Sequence, residues 1–417
     1  MGKIDELIQQ YCPEGVEYVR LGDCIKSLNT GLNPRQFFKL NTDDATNYYI
    51  TIRELQNNTI VVNDKTDRLN DEALRLCNNR SNLEKGDVLF SGTGTIGEVA
   101  VIEDTPTNRN IKEGVYAIKP DPSIINYKFL MYLLQSTTIR KEYLKKAEGG
   151  TVKSVSMGEM RKLEIPLPPL PVQKEIVRIL DNFTNLAAEL QAELQARQQQ
   201  YNYYRDTLLS FEGRDDVQWK EYTLGELGNV VRGNGLQKKD FTETGVGCIH
   251  YGQIYTKYGS FTDKTFTYVD EDLASHLLQV EKGNLVIACT SENVEDICKC
   301  VAWLGEENIC TGGHSCVYRH NQNPKYMAYF FQTDNFFKQK KKYVYGTKVK
   351  DIKPTDIEKI IIPLPSLEEQ ERIVSILDNL YNLVNDLSQG LPAEIEARQQ
   401  QYEYYRDQLL TFKRKEA

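Results

Sequence analysis

Several things are missing from this 417-residue sequence, and each absence excludes something. No apolar run approaches membrane-spanning length, and mean hydropathy is −0.52, which argues against a membrane-spanning helix. The opening Met1-Gly-Lys-Ile-Asp-Glu6 has neither a signal-peptide nor a myristoylation pattern. Nine cysteines, an odd and scattered set, suit reduced thiols in a cytoplasmic chain better than a disulfide frame. There are only four histidines and no nucleophile–base constellation, so no catalytic residue is assigned. Basic charge is also short: 51 Lys+Arg face 59 Asp+Glu, for a net charge of −8 and a pI near 5.4. As an average, that balance speaks against nucleic acid as a partner. What is present, 40% hydrophobic residues over this length, allows two or three domains with sizeable cores.

The dominant feature is an internal duplication. Ile165-Pro-Leu-Pro-Pro-Leu-Pro-Val-Gln173 returns as Ile362-Pro-Leu-Pro-Ser-Leu-Glu-Glu-Gln370, an offset of 197. Arg197-Gln-Gln-Gln-Tyr-Asn-Tyr-Tyr-Arg-Asp206 returns as Arg398-Gln-Gln-Gln-Tyr-Glu-Tyr-Tyr-Arg-Asp407, an offset of 201. Weaker anchors match too: Glu84-Lys-Gly86 with Glu281-Lys-Gly283, Gly149 with Gly346, and Leu21-Gly-Asp23 with Leu224-Gly-Glu226. Between these anchors the halves hardly resemble each other. Each half therefore reads as a variable region followed by a near-constant one.

The constant segments carry a heptad seam. In the first it runs Ile176, Leu180, Phe183, Ala187, Leu190, Leu194, Tyr201, Tyr204 and Leu208, with Arg197 in the remaining position. In the second it includes Ile373, Leu377, Leu380, Val384, Leu387, Leu391, Ile395, Arg398, Tyr402, Tyr405 and Leu409, with a stutter at Leu391. Gly390 and Pro392 predict a break or kink there. Pro171 suits a first helical turn, and Ser366-Leu-Glu-Glu369 has the form of a capping box. Neither helix can bury its seam on a small domain, so an intramolecular antiparallel pair is favoured over a homodimeric coiled coil. Pro166–Pro171 reads as a stiff exit from a strand rather than as a PxxP ligand.

The variable regions mix short β-branched runs, Gly/Asn turns and one amphipathic helix each, near residues 127–146 and 325–342. Together with the helices this gives an α+β fold: two mixed α/β domains and two long helices pairing as an antiparallel coiled coil, in a pseudo-twofold duplication. The boundaries expected are 1–165 and 213–362 for the globular domains, and 166–212 and 363–417 for the helical segments.

Local charge departs from the average. Residues 338–353 hold seven lysines and one aspartate, and residues 140–153 hold five basic and two acidic residues, both leading into the Gly346 and Gly149 turns. A solvated helix face explains a lysine run equally well, but the matching location in both halves supports phosphate contacts. Candidates are Lys145, Lys146 and Lys153 in the first half, and Lys341, Lys342, Lys348 and Lys350 in the second. Basic loops add Arg35, Lys238 and Lys239, and His250-Tyr-Gly-Gln253 offers Gln253 either as a base-edge contact or as part of a buried strand end. Arg197 and Arg398 on the seam require a partner, with Glu193 and Glu394 one turn away, or else must reach solvent. Tyr203 and Tyr404 point off the seam and are candidate anchors for a docked partner, simple exposure being the alternative. Ala187-Ala-Glu-Leu190 and Gln191-Ala-Glu-Leu194 form a tandem tetrad, read either as a spacer element or as helix-forming filler.

Other motifs fail on context. Gly92-Thr-Gly-Thr-Ile-Gly97 matches a dinucleotide fingerprint, but a strand follows it, so a glycine hairpin is expected. Cys298, Cys300, Cys310, His314 and Cys316 match no closed zinc spacing and read as buried thiols. There is no P-loop and no Asn-Pro-Pro-Tyr or Asp-Pro-Pro-Tyr run.

The two Ile-Pro-Leu-Pro…Gln segments, the two Arg-Gln-Gln-Gln-Tyr-x-Tyr-Tyr-Arg-Asp segments and Gly86-Asp-Val-Leu-Phe-Ser-Gly-Thr-Gly-Thr-Ile-Gly97, in this order, resemble the specificity (S) subunit of type I restriction–modification enzymes. The resemblance covers essentially the whole chain. It implies two target-recognition domains, each reading one half of a bipartite double-stranded DNA target, held apart by the helix pair. It also implies two methyltransferase (M) subunits docked on the helices and restriction (R) subunits joining them. S-adenosylmethionine, Mg²⁺ and ATP would then belong to those partners, leaving no cofactor or metal in this chain.

Overall fold

The structure, a computed structural model, describes residues 2–385 and 390–416. It divides into two compact units, Met1–Glu189 with Ile395–Ala417, and Leu190–Glu394.

In the first unit the main sheet comprises β1 (Ile25–Thr30), β2 (Val88–Ser91), β3 (Val99–Val101) and β4 (Val115–Pro120), in the order β1-β4-β2-β3 and antiparallel throughout. Every residue of β2 is buried, as expected for a strand covered on both faces. A smaller sheet joins Asn47–Ile50 in parallel to Arg109–Ile111. The second unit repeats the plan. β5 (Gly228–Arg232), β6 (Leu285–Ala288), β7 (Cys300–Trp303) and β8 (Ser315–His320) lie in the order β5-β8-β6-β7, with Phe261–Thr262 added beside β7. Its smaller sheet again contains a parallel pair, Val246–Ile249 with Ile309–Thr311. The duplication thus extends through the variable regions at the level of strand order. Gly92–Gly97 is the expected hairpin, joining β2 to β3.

Helices α1 (Tyr127–Gln135) and α2 (Thr137–Lys145) follow the first sheet, and α3 (Leu170–Ser210) closes the repeat. In the second repeat α4 (Pro324–Phe330) and α5 (Asp334–Lys340) lead to α6 (Leu367–Asn385) and α7 (Leu391–Leu409). Each expected single helix of the variable regions is therefore two short ones. Ser136 and Thr333 interrupt them, their hydroxyls accepting the Ile139 and Phe336 amides at 3.5 and 3.2 Å. A hydroxyl that caps a new helix competes with continuing the old one.

The repeated motif locks these helices in place. Gln173 accepts the Asn126 amide at 2.8 Å and donates to the Pro168 carbonyl at 2.7 Å; Gln370 does the same with Asn323 and Pro365, both at 3.0 Å. Asp181 pairs with Lys128 at 3.1 Å, and Asp378 with Lys325 at 2.6 Å. All these residues obey the 197 offset. They expose a further repeat that a reading of dissimilar halves overlooks: Asn126-x-Lys128-x-x-x-Tyr132-x-x-Gln135-Ser136 against Asn323-x-Lys325-x-x-x-Tyr329-x-x-Gln332-Thr333.

The long helices pair antiparallel. Phe183 stacks on Tyr405 in the first unit, with ring centroids 5.5 Å apart, and Tyr201 meets Tyr381 edge-on at 6.0 Å in the second. The seam is fully buried at Ile176, Leu180, Ile373 and Leu377, whereas Leu190 and Leu194 in the middle of α3 are only half-buried. Pro171 lies in the first turn of α3. Gly390 is a bend between α6 and α7, so the expected break is present; seam residue Leu387 lies outside the described residues. Ser366 caps α6 by accepting the Glu369 amide at 3.3 Å, while the Glu369 carboxylate binds Arg372 at 2.6 Å.

The reduced-thiol expectation needs one correction. Cys289 and Cys316 form a disulfide, with Cα atoms 6.3 Å apart. Antiparallel pairing of β6 with β8 places Cys316 opposite Ile287, bringing together two thiols 27 residues apart in sequence. The other seven cysteines are free and buried.

Candidate nucleic-acid interface

At one end of each main sheet, separate loops are stitched together. In the first unit Glu148 and Ser154 exchange backbone hydrogen bonds of 2.9 and 2.8 Å, closing a turn around Gly149. The turn is held against the end of β2, where Val155 donates to Gly92 and Gly94 donates to Lys153, both at 2.9 Å. Gly92 donates to Gly114 at 2.8 Å, and Glu113 to Leu32 at 3.4 Å, which brings in the loop carrying Arg35. In the second unit Tyr345 and Asp351 close the matching turn at 3.1 and 3.0 Å. Ile352 donates to Cys289 at 3.3 Å and Cys289 to His314 at 2.9 Å, while Gly233 donates to Ser315 at 3.0 Å. The Val155–Gly92 and Ile352–Cys289 bonds are the same bond, 197 residues apart. Basic loops distant in sequence thus converge on one end of each sheet.

The glycines are required by the turn. Gly149 and Gly346 have φ of +115° and +95°, and a Cβ would come within 2.3 Å of the Val152 carbonyl oxygen or 2.1 Å of that of Val349.

The proposed cations divide by environment. Arg35, Lys153, Lys238, Lys239, Lys341, Lys342 and Lys348 are exposed. Lys145 pairs with Glu142 at 2.7 Å, Lys146 lies 3.8 Å from Glu159, and Lys350 donates to the Gly346 carbonyl at 2.8 Å. Lys338 pairs with Asp334 at 2.6 Å. Lys340 sits 4% exposed, donating to the carbonyls of Glu295 and Ile297, and burial holds its pKa below the usual lysine range. The seven-lysine run is therefore not one solvated face. Gln253 is withdrawn from the surface: it is 7% exposed, and its amide oxygen accepts from the His250 amide and the Thr267 hydroxyl, both at 3.2 Å. It lies in the short helix Tyr251–Thr256 that follows the strand Val246–Ile249, so it is buried on a helix and not at a strand end.

The pairing of one residue of the basic 232–239 loop escaped sequence reasoning. Arg232 grips Asp351 with two hydrogen bonds of 2.9 and 2.7 Å, tying the 232–239 loop to the Gly346 turn. The only acidic residue within the lysine run was the available signal.

On the helices, Tyr203 and Tyr404 stand 66% and 61% exposed, each edge-on to the next tyrosine at 5.5 and 5.4 Å. Beside Tyr203 a groove of about 740 Å³ runs between the end of α3, α5 and the paired strands Trp219–Thr223 and Ile361–Pro365. Arg197 bonds Glu193 at 2.7 Å with both side chains half-exposed, and Arg398 donates to Gln401 at 3.1 Å. Among the described residues no His, Cys, Asp and Glu group is arranged to hold a metal ion, and no helix is long and apolar enough to cross a membrane.

Two blocks, residues 13–197 and 216–397, match the family model of the type I restriction modification DNA specificity domain. The chain belongs to that family. It is 33% identical over 299 residues to the type I restriction enzyme EcoR124I/EcoR124II specificity subunit of Escherichia coli, covering 69% of this chain and 72% of that one. It is 30% identical over 304 residues to a putative type I restriction enzyme specificity subunit of Haemophilus influenzae, covering 69% and 73%. A chain from a structure describing complex assembly and conformational transition of the type I R-M system superposes with a TM-score of 0.59 at 17% identity, covering 95% of this chain and 98% of that one. That likeness extends to the fold, including the long helix pair. Members of the family confer DNA specificity and are not themselves catalytic; catalysis resides in partner subunits.

Proposed function

We propose that this specificity subunit reads a bipartite double-stranded DNA target, each unit contacting one half-site through the stitched loop end of its main sheet. The observation that carries this reading is the recurrence of one hydrogen-bonded turn, 197 residues apart, within variable regions whose sequences otherwise diverge. Base contacts must differ between half-sites, whereas the scaffold that presents them need not. Arg35, Lys153, Lys238, Lys239, Lys341, Lys342 and Lys348 supply phosphate contacts around that end, while Lys145, Lys146 and Lys350 are already engaged within the protein and contribute by local charge. The boundaries 1–165, 166–212, 213–362 and 363–417 separate recognition domains from spacer helices in this reading.

The helices hold the half-sites at a fixed gap, with the tetrads at 187–194 as the adjustable element. Two M subunits dock on Tyr203 and Tyr404, and R subunits join the complex. S-adenosylmethionine, Mg²⁺ and ATP belong to those partners, and the assembly works in the cytoplasm. Co-expression with M subunits and mapping of methylated bases tests the reading. A split motif supports it, and an absence of sequence-specific methylation refutes it.

A further inference from the structure

The loop that leaves the first strand of each main sheet makes one short helical turn at the loop end, Pro34–Phe37 after β1 and Lys238–Asp240 after β5. β1 and β5 are the same strand in the two repeats. Thr30 lies opposite Tyr116 and Arg232 opposite Cys316, and those partners face Phe90 and Ile287, which obey the 197 offset. The place in the fold recurs, but the residues do not. Five to seven residues past these strand ends, the first unit has Arg35, Gln36 and Phe37, and the second has Gln237, Lys238 and Lys239. Side chains that differ at a shared position are what the reading of two half-sites requires, and a repeated scaffold cannot supply them.

The first of these turns fixes its backbone and leaves its side chains free. The Asn33 side chain accepts the Arg35 amide at 3.1 Å, and the Phe38 amide donates to the Pro34 carbonyl at 3.1 Å. Buried Tyr49 pins the loop to the smaller sheet: its hydroxyl donates to the Leu32 carbonyl at 2.5 Å, and its ring meets Phe38 edge-on at 5.8 Å. Arg35, Gln36, Phe37 and Lys39 are exposed, Phe37 to 53%. Among the described residues, neither the Arg35 guanidinium nor the Gln36 side-chain amide has a hydrogen-bond or ion-pair partner. Groups presented on a turn already held in place lose less conformational freedom on binding than groups on a loose loop.

We infer that Gln36 is a specificity-determining residue of the first unit, its side-chain amide pairing with N6 and N7 of an adenine in the major groove while Phe37 packs against the neighbouring base edge. That amide carries a donor and an acceptor in one plane, the complement of the N6 donor and N7 acceptor of adenine. Arg35 and Lys39, on either side of the pair, meet the phosphates. This inference rests on the DNA-reading function proposed above. It names a residue that reads, where the repeated glycine turns only support.

The experiment uses the complex with M subunits and compares the wild type with Gln36→Ala and Gln36→Glu. Methylation mapping gives the motif, and duplexes with single 7-deazaadenine replacements, which remove the N7 acceptor, probe binding. The wild-type complex loses about fivefold in affinity at one adenine of one half-site, the lower end of what a bidentate pair discriminates. Gln36→Ala abolishes that sensitivity, relaxes the motif at that one position and leaves the other half-site intact. Gln36→Glu, whose carboxylate can only accept, moves the preference there from adenine to cytosine, whose N4 group donates. An unchanged motif in both variants overturns the inference. So does a uniform loss of affinity with the motif retained, which marks a phosphate or structural contact. Loss of M-subunit association in the variants overturns it too, by showing that a protein covers the turn. If the wild-type complex methylates without sequence preference, the DNA-reading function itself falls, and the Gln36 contact with it.

Discussion

The Tyr132 hydroxyl donates to the Asp181 carboxylate at 2.7 Å, fastening the end of a variable region to the spacer helix that follows. Its counterpart, Tyr329 to Asp378 at 2.6 Å, does the same in the second repeat. Each aspartate also holds a lysine, Lys128 or Lys325. This is how a divergent recognition domain is seated on a near-constant helix. Asp181→Ala and Asp378→Ala each remove the acceptor from a partly buried hydroxyl and ammonium, and each lowers stability by about 1–3 kcal/mol. Chemical denaturation of the single variants measures the loss, and equal effects at the two sites are expected from the shared geometry.

In the proposed function, lysines on the loop end contribute charge without sequence information. Replacing Lys341, Lys342 and Lys348 with alanine in the complex with M subunits weakens binding to cognate and unrelated duplexes alike. The slope of log affinity against log salt falls by about 0.9 for each phosphate that is no longer neutralised. Fluorescence anisotropy across a salt series measures both effects, and the methylation motif stays the same.

In the proposed function the exposed tyrosines address a different partner. Tyr203→Ala with Tyr404→Ala leaves the fold unchanged, since both rings lie off the seam, but reduces co-purification of M subunits. Full retention of both M subunits by the double variant removes these residues from the docking surface.

A pH effect follows from His320. Its ring is half-buried beside Tyr318, its Nε2 is buried with no hydrogen-bond partner among the described residues, and desolvation pushes its pKa down to about 4. The unfolded chain titrates this group near pH 6.5. Between pH 6.5 and 4 the unfolded state binds a proton that the folded state refuses, so stability falls as pH drops through that window. The contribution is fully present above it, and the loss is at most about 3 kcal/mol. His320→Gln flattens this part of the unfolding free energy measured against pH.

Much of this was legible in the sequence, for reasons the structure makes plain. The duplication, the seam, the helix break at Gly390 and the glycine hairpin rest on local patterns, and local patterns survive into the fold. Off-seam exposure of Tyr203 and Tyr404 followed from helical periodicity alone. Convergence of the 31–35, 112–114 and 148–154 loops was not legible, because strand order brings them together across more than a hundred residues. Lys340 shows the same limit in reverse: its place in a lysine run suggested a surface contact, and tertiary packing placed it inside. The Asn-x-Lys-x-x-x-Tyr repeat was visible at the 197 offset but hidden by apolar substitutions around it. The Cys289–Cys316 disulfide depends on sheet register, which cysteine spacing does not report.

The net charge of −8 likewise described the whole chain and not its loop ends, where exposed lysines gather around each glycine turn. What matters for DNA is where cations sit, not their sum.

In the proposed function, two units read two half-sites across a gap held by the continuous helix α3. Inserting one further Gln-Ala-Glu-Leu tetrad after Leu194, and mapping methylation in cells that also express the M subunits, probes that gap. Four residues lengthen α3 by about 6 Å. The expected motif has the same two half-sequences as the wild type, separated by a longer gap. An unchanged motif, or half-sequences that change while the gap stays fixed, would contradict it.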